Sequence, residues 1–516
     1  MRPGSAYDLL IIGGGINGAG IARDAAGRGL RVALCERDDF AGATSSASTK
    51  LIHGGLRYLE HGELRMVRHA LAERETLLAI APHISRQLRF VLPQVRELRP
   101  AWMIRLGLLL YDHLGARSSL PASHSVDLRA SHYGRALKPQ LRKGFVYSDG
   151  WVDDARLVIL NLRSALLHGA TILPRTRFVA ARPEHRGWYA RLQCRDGRWM
   201  TMRARILINA AGPWVDDVLS ATSTASTRPR VRLIKGSHIV VTRLYEGDHA
   251  YLLQNDDRRV VFLIPFGADH HLIGTTDLPV DSPLASMSVS PTEIQYLCSA
   301  ATRYLRKPLA TNQVVWSYAG VRALFDNRHR DPASITRDYT LALDQVNGSM
   351  VLSVLGGKLT VYRRLAEAAL ARLERWIGPG RGAWTATEPL PGGELGAEGM
   401  SGLIDRLVQR YPGLPSPLLE ALAHRHGALT YEVLGDARSE ADLGVHFGAR
   451  LFEREVDYLI RHEWAQSGED VLWRRTKTGL DMPAAERTRV DEYVRGHPHQ
   501  LHPSPQQGGG GALVPD

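Results

Sequence analysis

Residues 7–36 read YDLLIIGGGINGAGIARDAAGRGLRVALCE, and their order decides the fold. YDLLIIG is an unbroken apolar run ending in glycines, the mark of a strand buried on both faces. INGAGIARDAAGRG has helical spacing, and LRVALCE is a second buried strand. Together they predict a βαβ unit, hence a parallel sheet with a right-handed crossover. Between strand and helix lies Gly13-Gly14-Gly15-Ile16-Asn17-Gly18, a G-x-G-x-x-G turn. Gly13 permits the tight turn, Gly15 lets backbone approach a pyrophosphate, and Gly18 lets the helix pack on the sheet. The helix N-terminus, with Asn17 in its first turn, directs N–H donors at the phosphates. Glu36 closes the second strand, where a carboxylate accepts hydrogen bonds from an adenosine ribose and repels a 2′-phosphate. The unit therefore predicts a dinucleotide site.

The next segment favours FAD over NAD. TSSASTKLIHGGLRYLEHGE (44–63) is rich in Ser and Thr and runs into Gly54-Gly55 and a helix. An NAD site would continue into another βα unit. A polar stretch suits a cofactor that reaches deep into the protein and needs donors along its length. Lys50 and His53 are candidates to reach flavin or pyrophosphate oxygens; the plainer reading is a helix-cap region and a satisfied polar loop. Farther on, ILINAAGPWVDD (206–217) is a buried strand ending in small residues, including Gly212, that permit close ligand approach. SVLGGKLTVYRRLAEAAL (353–370) is a strand, a Gly356-Gly357 turn and an amphipathic helix that begins near Lys358, Leu359 and Thr360. A cation at a helix N-terminus opposes the dipole, so Lys358 calls for an anionic partner: a substrate phosphate or the electron-rich end of a reduced flavin. Arg322 follows the strand-like run WSYAGV, and Arg337 precedes another in SITRDYTLAL. Two guanidinium forks at strand ends can meet on one anion, although most arginines in so basic a chain are surface charges.

The rest of the chain sets the frame. Its 516 residues, 44% hydrophobic and 23% charged, suit two to four folded domains. The net charge is +12, but residues 381–516 hold 14 basic and 20 acidic residues against 51 and 33 in the first 380. The positive field therefore belongs to the N-terminal body, and it admits nucleic acid, anionic lipid or an anionic small molecule. No zinc, helix-turn-helix or RNA-binding signature accompanies it, so a nucleic-acid partner is not expected. Three separated cysteines argue against a disulfide framework, no metal site is expected, and a reducing compartment is the default. The N-terminus MRPGSAYD has no signal core. After the Gly/Pro-rich crossover 378–399 the pattern turns helical, predicting an acidic α-helical C-terminal domain over 386–496; the His/Gly-rich end, 497–516, is expected to be disordered. AWMIRLGLLLYDHLG (101–115) is too interrupted by Arg105, Asp112 and His113 to span a membrane. It suits equally a basic interfacial helix and a core helix.

Taken together, IIGGGINGAGIARDAAGRGL, TSSASTKLIHGGLRYLEHGE, YSDGWVDDARLV, INAAGPWV, RLIKGSHIVV, IGTTD, AGVRAL, ITRDYTL and GGKLTVYR resemble the aerobic, FAD-dependent glycerol-3-phosphate dehydrogenases. The likeness runs from about Tyr7 to about Val494. It implies an α/β fold: an FAD-binding Rossmann-like domain, a β-rich substrate domain and the helical C-terminal domain. The oxidoreductase body would span 5–385, with FAD-binding pieces near 5–70, 148–220 and 320–385 and substrate-domain pieces near 71–147 and 221–319. It implies oxidation of sn-glycerol 3-phosphate to dihydroxyacetone phosphate, with electrons passed through FAD to a membrane quinone. Arg57, Tyr58, His238, Arg322, Arg337 and Lys358 would line the substrate pocket. Gly13, Gly15, Asn17, Gly18, Glu36, Thr44, Ser45, Lys50, Leu51, His53, Gly212, Gly357, Lys358, Leu359 and Thr360 would surround FAD. His238 is the candidate base by residue type, while Arg57 or Lys358 would stabilise the developing alkoxide. A peripheral place on the inner face of the cell membrane, against anionic lipid, and a homodimer fit the same reading. The alternative is a flavin oxidase of the same fold acting on an amino or hydroxy acid with O₂ as acceptor.

Overall fold

The structure, a computed structural model, describes residues 6–95, 100–115, 119–222, 231–257, 259–280, 288–325, 339–378 and 380–497, excepting the side chains of Arg57 and His61. Arg337 and the expected tail from residue 498 lie outside the described residues.

The opening unit forms as the sequence predicts: β1 (Tyr7–Ile12), α1 (Ile16–Gly27) and β2 (Val32–Cys35). Downstream come α2 (Leu64–Ile80), α3 (Ala101–Leu114), β3 (Lys143–Val152), α4 (Asp154–Leu167) and β4 (Trp199–Asn209). The body closes with β5 (Val231–Thr242), β6 (His270–Gly274), β7 (Val314–Phe325), β8 (Ser349–Leu355) and α5 (Tyr362–Ile377).

One sheet has β1 at its centre, parallel to β2 on one side and to β4 on the other, with β8 beyond β4. Its strands read as continuous apolar runs because both faces are covered. Leu9, Ile11, Leu34, Ile206 and Ile208 face the core shared with α1, α4 and α5. Leu10, Ile12, Ala33 and Leu207 face Trp188, Leu192 and Leu219 on the other side. Small residues on α1 (Ala19, Ala22, Ala25) let it sit close between α4 and α5.

The second sheet is mainly antiparallel. β5 pairs with β6 and β7, setting His238 opposite Gly274 and Tyr318, and Ile234 opposite Arg322. Arg322 lies inside a strand, not after one as the spacing suggested, because β7 continues to Phe325.

The C-terminal unit is mostly helical, with its own core around Leu407, Leu419, Val456 and Leu459. A short ribbon, His446–Gly448 against Leu451–Phe452, interrupts the expected helices. Arg475 clamps this unit onto the loop after β2, its guanidinium donating to the Asp39 carboxylate at 2.6 and 2.8 Å. Lys477 donates to Asp153 at 2.6 and 2.7 Å. The Trp473 ring stacks on Trp316 of β7, centroids 4.6 Å apart.

Candidate cofactor and substrate site

A cavity of about 1050 Å³ takes its walls from both sheets and from Glu469, Trp473 and Arg474 of the C-terminal unit. Its glycine cradle is enforced by backbone contacts. Gly13 has φ +113°, and a Cβ there would stand 2.5 Å from the Ala210 carbonyl oxygen. A Cβ on Gly18 would stand 2.0 Å from the Gly13 oxygen. Ser45 Oγ accepts from Ile16 N at 3.0 Å, holding the 44–49 loop against the start of α1. Glu36 accepts from Gly14 N at 2.7 Å and Asp38 N at 2.9 Å. Burial raises its pKa, and those two N–H groups partly restore the charged form.

The other expected cofactor residues border the same cavity, with one exception. Asn17 Nδ2 donates to Gly356 O at 3.2 Å, tying the first glycine turn to the Gly356-Gly357 turn. Thr44 Oγ1 donates to Val321 O at 2.6 Å, beside Arg322. Leu51, Gly212, Gly357 and Leu359 line the wall, and Thr360 Oγ1 accepts from His53 N at 3.3 Å. Lys50 is the exception and corrects the sequence reading. Its ammonium is buried and donates to both Asp154 carboxylate oxygens at 2.8 and 2.9 Å, so it does not reach toward cofactor oxygens. Its role is to hold the loop. His53 is a neutral imidazole, its pKa lowered to about 4 by burial and by Lys358 and Arg74.

Four of the substrate candidates, Tyr58, His238, Arg322 and Lys358, line this cavity. His238 comes from β5, and its Nε2 lies 2.9 Å from Thr49 Oγ1. Its ring stacks on Tyr318, centroids 4.9 Å apart. Burial, then Lys50 and Arg322, push its pKa well below the usual histidine range, so the ring is neutral at working pH. The contact with the Thr49 hydroxyl, which can donate or accept, suits either tautomer of the neutral ring. Arg322 stands 3.8 Å from Asp277. Lys358 Nζ lies 3.7 Å from the Tyr58 ring centroid. Arg57 follows Leu56 in a short 3₁₀ segment, with its side chain outside the described residues, as is Arg337 entirely.

Sequence reasoning missed Thr49, Tyr318, Trp316 and Trp473. The alternation of Trp316 and Tyr318 in WSYAG was a usable signal, since strand residues two apart share a face. Trp473 had none, because its partner lies in another domain.

Chemically, the arrangement sets a neutral imidazole and two cations beside a dinucleotide cradle. The cradle fits a dinucleotide because a side chain at Gly13 or Gly18 would strike backbone, and the cavity runs on past it to His53 and His238.

Residues 8–363 match the family described as FAD dependent oxidoreductase, and residues 383–499 match the C-terminal domain of alpha-glycerophosphate oxidase. The chain is 51% identical over 496 residues to a glycerol-3-phosphate dehydrogenase of Pseudomonas aeruginosa, covering 96% of each chain. It is 48% identical over 487 residues to a D-erythritol 1-phosphate dehydrogenase of Brucella abortus, covering 94% of this chain and 97% of that one. A glycerol-3-phosphate dehydrogenase from Bacillus halodurans solved with FAD superposes with a TM-score of 0.74 at 25% identity, covering 96% of this chain and 94% of that one. With FAD as the cofactor for which its glycine cradle is shaped, the chain belongs to the FAD-dependent glycerol-3-phosphate dehydrogenase family.

Proposed function

We propose that the protein oxidises sn-glycerol 3-phosphate to dihydroxyacetone phosphate and passes the electrons to a membrane quinone. The observation that carries this reading is the meeting of Arg322, Lys358 and His238 on one cavity beside the glycine cradle. The substrate carries close to two negative charges, since its second phosphate pKa is about 6. Arg322 and Lys358, joined in this reading by Arg57 and Arg337, supply the opposing field, and Tyr58 holds the Lys358 ammonium over its ring. A carboxylate substrate needs about one such cation; a phosphate is better served by several. The His238 imidazole takes the C2 hydroxyl proton. FAD, when bound, supplies the hydride acceptor.

Anaerobic mixing with glycerol 3-phosphate is expected to bleach the flavin, and amino acids are not. Flavin that stays yellow with glycerol 3-phosphate overturns the reading. The similarity to an erythritol phosphate dehydrogenase supports a second reading, a longer polyol phosphate. Comparing kcat/KM for erythritol 1-phosphate and glycerol 3-phosphate decides between them.

Contact with a membrane surface belongs to this proposal. Among the described residues no helix is long and apolar enough to cross a membrane. α3, however, buries only Ile104, Leu108 and Tyr111 and exposes Trp102 (67%), Met103, Leu106 (49%), Leu109 and Leu110. An apolar face of that kind on a basic body suits insertion among anionic headgroups, which supports a peripheral position on the inner face of the cell membrane. Replacing Leu106 and Leu109 by Ser is expected to weaken binding to anionic vesicles by on the order of 10–100-fold, measured by co-sedimentation. Unchanged binding removes α3 from the contact.

A further inference from the structure

A buried polar chain runs beneath the His53–Tyr58 turn and takes no part in the chemistry above. Asp149 of β3 is 2% exposed and borders the cavity. Tyr111, also buried, is the polar member of α3's inner face, and its hydroxyl stands 2.8 Å from each Asp149 oxygen. The same hydroxyl oxygen accepts from Gly54 N at 2.7 Å. Arg74 of α2 completes the set, donating to Asp149 at 2.9 Å and to Ser148 O at 3.2 Å. Gly54 presses directly on the Tyr111 ring: a Cβ there would stand 2.8 Å from Cε2. The turn it anchors carries His53, Arg57 and Tyr58.

We propose that Asp149 and Tyr111 are positioning residues: Asp149 orients the Tyr111 hydroxyl, which holds the Gly54 N–H and so fixes the His53–Tyr58 turn against the cofactor and the substrate phosphate. The proposal rests on the functional reading only for the substrate half. At Gly54 the turn also packs against Leu71 and the Tyr111 ring, while His53 N donates to Thr360 Oγ1 and Tyr58 faces Lys358 at its two ends. A hydroxyl that accepts from a backbone N–H while donating to a carboxylate is a directional pin. Burial raises the Asp149 pKa to about 6, offset by Arg74, then Tyr111, then Gly54 N–H. The charged and titratable groups around it are Arg74, with Glu75 on its outer side, from α2, Tyr111 from α3, Tyr147 on β3, and His53 from the turn. Protonating Asp149 removes part of the pin's acceptor, so the turn loosens as pH falls through this value.

Tyr111→Phe removes the hydroxyl and keeps the ring. At equal FAD content it is expected to raise KM for glycerol 3-phosphate by about tenfold while kcat changes little. Because the substrate phosphate titrates in the same range, a substrate-free measurement separates the two. The visible spectrum of bound FAD, followed from pH 8 to 5, is expected to titrate near pH 6 in the wild type. That transition moves upward in Tyr111→Phe, which has lost a hydrogen bond to the carboxylate, and disappears in Asp149→Asn. An unmoved KM with an unmoved titration overturns the proposal, as does a lower melting temperature with both unmoved. If glycerol 3-phosphate fails as substrate even for the wild type, the functional reading falls alone, and the FAD titration still decides the positioning role.

Discussion

His238→Asn is expected to slow flavin reduction by glycerol 3-phosphate by about 10²–10⁴-fold, the range a positioned general base supplies. FAD content should not change, because His238 meets the cofactor loop through one hydrogen bond to Thr49 and Asn can offer another. The pH profile carries the sharper test. Burial, Lys50 and Arg322 all lower the His238 pKa. A base with a lowered pKa keeps its lone pair down to acidic pH, so its rate contribution is lost only as pH falls well below the ordinary histidine value of about 6.5. Anaerobic stopped-flow traces should therefore show a rate constant for bound substrate that holds through pH 6.5. Arg322→Met removes one of the two neighbouring charges, so the ring protonates more readily and the acid limb moves upward in pH. Near wild-type reduction by His238→Asn would take His238 out of the role of base.

What the sequence disclosed and what it concealed follow from range. β1 was legible because being covered on both faces demands Leu9, Leu10 and Ile11 without a break, and the glycines that follow end the run at strand length. The glycine cradle was legible because its demands are local: Gly13 has φ +113°, and Gly18 packs against the Gly13 carbonyl five residues before it. Lys50 was misread for the opposite reason. Its partner Asp154 is 104 residues away, and nothing near Lys50 in the sequence distinguishes an ammonium that faces a ligand from one locked in a salt bridge. Asp39 is tied to Arg475 across 436 residues, so the share of the C-terminal unit in the cavity wall was invisible to local reading. α3 left two readings open because it satisfies each in part: Ile104, Leu108 and Tyr111 meet the core while Trp102 and Leu106 face outward. Composition registers apolar residues but not which side of a helix is covered.

Lys50→Met is expected to destabilise the body by about 3–5 kcal/mol, the cost of leaving a buried charge without its partner. Asp154 is wholly buried and begins α4. Besides the Lys50 ammonium it accepts from Ser48 N at 3.1 Å, Ser48 Oγ at 2.7 Å and its neighbour Ala155 N at 2.9 Å. Those donors orient the carboxylate but carry no charge. Methionine fills the volume of the lysine stem, so packing loss is small and the effect isolates the unpaired carboxylate. The Lys50 ammonium also donates to Ser46 O at 3.1 Å, between Ser45 at the start of α1 and Thr49 on His238. Loosening it therefore loosens both ends of the cofactor loop, and FAD should dissociate at lower denaturant than in the wild type. The double variant Lys50→Met/Asp154→Asn removes the orphaned charge and should recover part of the loss, because residues in direct contact couple by about 0.5–3 kcal/mol. Denaturant titration followed by flavin fluorescence measures all three proteins. If the double variant is no more stable than Lys50→Met alone, the charge is not what the loop depends on, and the packing of the 44–51 segment against β3 and β7 must hold it instead.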